Sequence, residues 1–226
     1  PTIYFTKNSK KILLANKESV ICGWNLIKKA AKKNKTKIIP IDSEHFSIIK
    51  LLENGKQSEI DKIFITASGG PFLNLPIEKF KNIKPKDAVK HPKWSMGEKI
   101  SIDSATLMNK VLEIFEAYKL FPFNKNKYKI IIHPQSLVHA IVSYKNGLKK
   151  FLYHEPDMKI PILNAIFENQ KIDKNFLNQN KNSKIYNLDF FEVDKKKFPS
   201  ISLINKKVHK STPIIINAAN EIFVDQ

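Results

Sequence analysis

Apolar residues in this chain gather in short runs separated by longer stretches with helical spacing. Lys11–Ala15 (KILLA), Lys37–Ile41 (KIIPI) and Ile63–Ala67 (IFITA) are dense enough to be buried strands. Between the first two, Val20, Trp24, Ile27 and Ala31 recur at helical intervals, and a helical segment near His45–Leu52 joins the second to the third. Such alternation predicts an α/β fold, with a parallel sheet covered by helices. Each strand ends in a polar cluster: Asn16-Lys17-Glu18, then Asp42-Ser43-Glu44, then Ser68-Gly69-Gly70. Ligands of open α/β sheets bind at that edge.

Further on, Tyr128–Ile132 (YKIII) predicts a strand leading into His133-Pro134-Gln135-Ser136. Leu137–Tyr144 and Leu148–His154 flank Lys145-Asn146-Gly147, which predicts a hairpin with positive φ at Asn146 and Gly147. Asp157–Glu168 reads as a helix with Pro161 near its first turn. Residues 169–199 are polar and weakly patterned, as in a connector, and Thr212–Val224 opens another helix.

The stretch with the densest chemistry is His91–Glu116. Wound as one helix from Ser104, it places Asn109, Lys110 and Glu113 within an arc of about 100°, opposite Met108, Val111, Leu112 and Phe115. The arc has two readings, a wet helix face or part of a pocket. Asp42 and Glu44, with Glu113 as third carboxylate, suit a hard divalent cation, although an Asp-x-Glu step also serves as a helix cap and first-turn acid. Ser68, Ser104, Asn109 and Lys110 offer two hydroxyls, an amide and an ammonium to a phosphate, and Lys17 could meet the same anion. Trp94 and Met96 have no periodic partners in the loop His91–Gly97, which suits either a lid over substrate or a loop tucked on the core. His133 and His139 each flank a strand and read as structural.

Composition narrows the partners. The 226 residues carry a formal charge of +18, and all 39 basic residues are Lys. Arg, the preferred bidentate reader of guanine and phosphate, is absent, and the Lys are scattered. This favours a solvated basic surface that gathers small anions over a nucleic-acid face. Cys22 is alone, so no internal disulfide forms, and no apolar run approaches the roughly 18 residues of a membrane span. A reducing, cytoplasmic setting is expected. The residues by themselves leave open a phosphosugar enzyme with a divalent metal and no nicotinamide cofactor, and a Lys-rich nucleic-acid module.

As a string, the clusters resemble one family, the 1-deoxy-D-xylulose 5-phosphate reductoisomerases. The matching pieces are LANKES (Leu14–Ser19), PIDSEH (Pro40–His45), ASGGPF (Ala67–Phe72), HPKWSMGEKISIDSATLMNK (His91–Lys110), HPQSLVHAIV (His133–Val142), EPDMKIPI (Glu155–Ile162) and NAANE (Asn217–Glu221). The resemblance implies metal ligands at Asp42, Glu44 and Glu113, holding Mn²⁺ or Mg²⁺. It implies substrate contacts at Lys17, Ser43, Glu44, Ser68, His91, Ser104, Asn109, Lys110 and Glu113, with Ser68, Ser104, Asn109 and Lys110 on the phosphate. Lys17, Glu44, His91 and Glu113 would be catalytic, Asn16, Glu18 and Gly97 would touch NADPH, and Trp94 and Met96 would sit in a closing flap. The implied architecture is the end of a Rossmann-like NADPH-binding domain over residues 1–41 and an α/β catalytic domain over 42–168, with its flap at about 91–98. A connector over 169–199 and the start of a helical domain over 200–226 follow. The implied reaction rearranges 1-deoxy-D-xylulose 5-phosphate and then reduces the aldehyde with NADPH to 2-C-methyl-D-erythritol 4-phosphate. A homodimer is also implied, for which Leu137–Tyr144 is a candidate edge.

Four departures accompany the resemblance. The family's Gly-rich dinucleotide loop has no counterpart in these residues, and most of its C-terminal helical domain is missing. Val111 stands where the family usually has Gly, and Lys159 where Arg is usual. The missing loop bears on activity. The 226-residue chain alone is expected to bind NADPH weakly and to turn over little or nothing, as followed by NADPH absorbance; robust turnover would contradict this.

Overall fold

The computed structural model of the chain describes all residues except 54, 92, 95, 169, 174–175, 177–186, 206–211 and 226. Part of the segment read as a connector, and Pro92 and Ser95 of the expected flap, therefore lie outside the described residues. Helix α1 (Thr2–Asn8) precedes strand β1 (Lys11–Leu14), helix α2 (Lys17–Asn34), strand β2 (Lys37–Pro40) and helix α3 (Ser43–Leu52). Strand β3 (Ile60–Ala67) then leads through a long loop with the short helix α4 (Pro85–Ala88) into α5 (Glu98–Ala105) and α6 (Met108–Leu120). Strands β4 (Tyr128–Ile132), β5 (Val138–Tyr144) and β6 (Lys149–Tyr153), helix α7 (Lys159–Phe167), strand β7 (Phe191–Glu192) and helix α8 (Thr212–Val224) complete the order.

The α/β class holds, but the strands divide into two sheets. β1 and β2 pair in parallel as a two-stranded sheet. β3 belongs instead to a five-stranded mixed sheet of order β6-β5-β3-β4-β7, parallel to β4 and antiparallel to β5. The single parallel sheet suggested by the first three strands is thus corrected: β3 finds its partners later in the chain. β7 lies within the expected connector and pairs with β4. The hairpin β5–β6 forms as expected, yet only Gly147 is left-handed (φ 86°). Asn146 instead turns its side-chain oxygen onto the Leu148 N–H at 3.1 Å. That arrangement fits a three-residue loop closed by a left-handed glycine. The proposed dimer edge is also corrected. β5 is an interior strand, buried along its whole length, and β6 and β7 are the edges.

Helix α6 organises the core. Val111, Leu112 and Phe115 pack with Ile21, Ala67 and Ile132 on one side. Ile114 and Ala117 pack with Ile48, Ile63, Ile65 and Val142 on the other. Apolar contact on both flanks leaves no room for a wet face, and Lys110, Glu113 and Glu116 are buried with the rest. The run from Ser104 is not one helix. α5 ends at Ala105, and Leu107 turns left-handed (φ 58°) before α6 begins. Its side chain is 1% exposed, so core burial holds a conformation that costs a non-glycine residue roughly 1 kcal/mol.

The loop after β3 is pressed onto α5. Gly70 has φ 63°, and a Cβ there would lie 2.8 Å from the Ser104 carbonyl oxygen and 2.9 Å from Ala105 Cα. Neither backbone atom can swing aside. Gly70→Ala is expected to lower stability by more than about 1 kcal/mol, since the left-handed penalty alone is that large. Gly23, inside α2, would meet only Ile27 Cδ1 at 3.9 Å. Gly23→Ala is therefore expected to stabilise by about 0.5–1 kcal/mol. Denaturant midpoints of the two variants should move in opposite directions.

Candidate active site

The site forms where the carboxyl ends of β1, β2 and β3 deliver their polar clusters toward α5 and α6. Asp42 takes the N-cap position of α3 but makes no side-chain cap bond. Its carboxylate is turned to Lys17, whose Nζ lies 3.1 Å away. Lys17, at the start of α2, also donates to Asn109 Oδ1 at 2.9 Å. Asn109 in turn donates to Glu113 Oε1 at 2.5 Å. Lys110 Nζ sits between Glu44 and Glu113, donating to both Glu113 oxygens at 2.8 and 3.0 Å and to Glu44 Oε1. Ser43 Oγ donates to Glu44 Oε2 at 2.7 Å. Lys110 and Glu113 thus form a buried i,i+3 pair.

Burial and charge set the protonation of these groups. Burial works to raise the Glu44 carboxyl, but the Lys110 ammonium and the hydrogen bonds around it prevail and hold it at about 2. Glu113 goes the other way, to about 8, because burial and the nearby Glu44 carboxylate outweigh Lys110. Burial also opposes the Lys17 and Lys110 ammonium groups, yet their carboxylate partners keep both above the ordinary lysine value. At neutral pH the cluster is therefore close to electrically neutral, with Glu113 mostly protonated. Asp42, Glu44 and Glu113 each offer an oxygen, and these atoms lie within 4.8 Å of one another. An all-oxygen carboxylate set that already encloses an ammonium fits a hard divalent cation.

On the opposite wall, His91 Nδ1 accepts the main-chain N–H groups of Lys93 and Trp94 at 3.1 and 2.9 Å. Nε2 must then carry the ring proton, and it donates to Ser68 Oγ at 2.9 Å. Burial and Lys110 depress His91 to about 4, so the ring stays neutral. Ser68 Oγ also accepts from Gly70 N–H at 3.1 Å, which leaves its own hydroxyl proton to be donated to an anion.

A cavity of about 300 Å³ is bordered by every residue expected for metal, substrate and flap, including Ser104, Trp94 and Met96. Asn16, Glu18 and Gly97, expected to meet a cofactor, border a second hollow instead, which shares Lys17 and Asn109 with the first. Asn16 caps α2 through the Ser19 N–H at 2.8 Å, and Glu18 holds Lys99 at 3.0 Å.

The structure adds residues that the pattern missed. Ser136, His139 and Met158 also border the first cavity. His139 had read as structural, yet its ring meets the Trp94 ring edge-on at 6.0 Å and stacks on His154 at 4.1 Å. A buried strand hides it, because alternation cannot tell a cavity wall from a core. His133 is fully buried behind, with Nδ1 2.8 Å from the Asp189 carbonyl oxygen.

Two family models match the chain. Residues 38–121 match the 1-deoxy-D-xylulose 5-phosphate reductoisomerase C-terminal domain, and residues 154–226 match the DXP reductoisomerase C-terminal domain. A 1-deoxy-D-xylulose 5-phosphate reductoisomerase of Pelagibacter ubique (strain HTCC1062) is 52% identical over 227 residues, covering 99% of this chain and 58% of the relative. One from Wolbachia sp. subsp. Drosophila simulans (strain wRi) is 46% identical, over 96% of this chain and 57% of the relative. Among solved structures, a DOX-P reductoisomerase in complex with NADPH, fosmidomycin and magnesium aligns with TM-score 0.86 at 39% identity, covering 99% of this chain and 58% of that one. The Zymomonas mobilis enzyme in complex with NADPH aligns with TM-score 0.80 at 35% identity, over the same shares. The chain thus spans under two thirds of the length of the relatives it matches. Within that span it belongs to the 1-deoxy-D-xylulose 5-phosphate reductoisomerase family.

Proposed function

We propose that this chain supplies the metal and substrate side of an enzyme that converts 1-deoxy-D-xylulose 5-phosphate, with NADPH, to 2-C-methyl-D-erythritol 4-phosphate. The observation that carries the reading is one cavity lined both by a carboxylate set fit for a divalent cation and by the anion donors Ser68, Ser104, Asn109 and Lys110. Asp42, Glu44 and Glu113 are the residues that would hold Mn²⁺ or Mg²⁺, which when bound lowers the pKa of a coordinated hydroxyl and stabilises oxyanion charge. NADPH brings the hydride, and Asn16, Glu18 and Gly97 border the hollow assigned to it.

The remaining work falls to side chains of this chain. Ser68, Ser104, Asn109 and Lys110 bind the phosphate, and fixing that remote group turns binding energy into orientation of the reacting carbons. The Lys110 ammonium also holds Glu44 and Glu113 together. Lys17 stays near the substrate oxygens through Asp42 and Asn109, while Ser43 steadies Glu44. Neutral His91 orients the Ser68 hydroxyl for donation. Trp94 and Met96 cover the cavity and exclude water from the aldehyde. The reading includes a homodimer joined through a surface other than β5, and a cytoplasmic setting. Among the described residues no helix is long and apolar enough to cross a membrane.

Calorimetric titration of the chain with Mn²⁺ tests the reading directly. One ion per chain is expected, and Asp42→Asn should weaken it at least tenfold, by analogy with a lost charged ligand. Substrate should bind more tightly once Mn²⁺ is present. Mn²⁺ binding that is absent, or equal in Asp42→Asn, would reject the site.

The pH dependence has a defined sign. Glu113, raised to about 8, holds a proton in the folded state that an unfolded glutamate gives up near ~4.3, so its contribution to apo stability is lost as pH rises between those values. Glu44, held at about 2, contributes above ~4.3 and loses that contribution as pH falls toward 2. Mn²⁺ binding at pH 7 must ionise Glu113. Titrations in buffers of different ionisation enthalpy should show about one proton released per ion at pH 7, fading above pH 8. Zero release at pH 7 would contradict the assignment of Glu113.

A further inference from the structure

One buried polar pair belongs neither to the carboxylate set nor to the anion donors. His45 and Glu116 have no exposed side-chain surface at all, and His45 Nδ1 lies 3.3 Å from Glu116 Oε2. The other ring nitrogen, Nε2, lies 3.0 Å from the main-chain oxygen of Glu113. Both edges of the imidazole thus face α6, Nε2 through a hydrogen bond and Nδ1 through a close approach that completes none, and the Phe121 ring stacks over it at 6.1 Å. Burying an imidazole and a carboxylate is costly, and well-packed apolar residues would hold two helices together at least as well. Stability alone therefore does not account for the pair.

Its position does. His45 lies on the first turn of α3, directly after Glu44 and three residues after Asp42. Glu116 lies three residues after Glu113 on α6. The contact joins the same two helices that bring the three carboxylates together, and neither residue borders the cavity. Carboxylates brought this close repel one another, and Lys110 restrains only Glu44 and Glu113. Behind them, the hydrogen bond of His45 Nε2 to the Glu113 carbonyl and the 3.3 Å approach of His45 to Glu116 tie α3 to α6 whether or not Lys110 is in place.

Asp42, His45 and Glu116 could themselves be taken for a second cation site, since their ligand atoms also lie within 4.8 Å. Burial counts against it, since the side chains of His45 and Glu116 are sealed from solvent.

We propose that His45 and Glu116 are positioning residues, which hold α3 against α6 so that Asp42, Glu44 and Glu113 keep a spacing ready for a divalent ion. The inference rests on the reading of those three carboxylates as metal ligands. Its test compares the chain with Glu116→Leu, which preserves packing, and Glu116→Gln, which preserves the shape and a polar end beside His45 Nδ1. Mn²⁺ affinity and stoichiometry come from electron paramagnetic resonance, and folding from the thermal midpoint without metal. Glu116→Leu should keep a midpoint near that of the unaltered chain yet bind Mn²⁺ about tenfold or more weakly, in the range found for groups that orient metal ligands. Glu116→Gln should recover most of that affinity, and stoichiometry should stay at one throughout.

Undiminished affinity in Glu116→Leu would overturn the proposal. So would two ions per unaltered chain and one in the variant, because the pair would then be ligands. If Glu116→Leu does not fold, His45→Gln decides in its place: it reaches the Glu113 carbonyl but not Glu116 as well, so affinity should fall several-fold, and an unchanged value overturns the proposal. Failure of the unaltered chain to bind Mn²⁺ rejects the metal reading itself, and is seen before any substitution is made.

Discussion

The ammonium of Lys110, lodged between Glu44 and Glu113, is the contact on which the rest of the site depends. Helix α6 is packed by apolar residues on both flanks, so whatever polar groups it carries must be satisfied inside the protein. Two buried carboxyl groups this close, from different helices, do not both ionise readily in a medium that screens poorly, so Glu44 carries the charge and Glu113 keeps a proton. A buried cation between them makes their proximity tolerable, and Lys17 does the same for Asp42. The result is a cluster near electrical neutrality.

The walls around this cluster are made by backbone constraints rather than by charge. Gly70 lets the loop after β3 rest on the α5 backbone, which brings Ser68 and Ser104 to one cavity. The left-handed Leu107 breaks the helix between Ser104 and Asn109, so the two approach from separate elements. On the far side, two main-chain N–H groups settle the His91 tautomer, and that settles what the Ser68 hydroxyl can do.

Much of this could be read in the residues themselves. Strand and helix patterns located β1 to β6, and the motifs named most of the residues that border the first cavity. What escaped followed from long-range pairing. Nothing local to IFITA says that β3 joins β4 and β5 and leaves β1 and β2 by themselves. Nor does Leu137–Tyr144 announce that it is an interior strand. His139 was lost for the same reason, since a residue on a fully buried strand looks alike whether it faces core or cavity. His45 and Glu116 looked like ordinary helix positions, because only the packing of α3 on α6 makes them partners.

Whether a divalent ion and the substrate phosphate share one cavity on this chain is read from the ³¹P relaxation of 1-deoxy-D-xylulose 5-phosphate bound to the chain with Mn²⁺. Strong paramagnetic enhancement is expected that needs protein, ion and substrate together, and that disappears when Mg²⁺ replaces Mn²⁺. Equal enhancement without the protein, or none with all three present and bound, would contradict it.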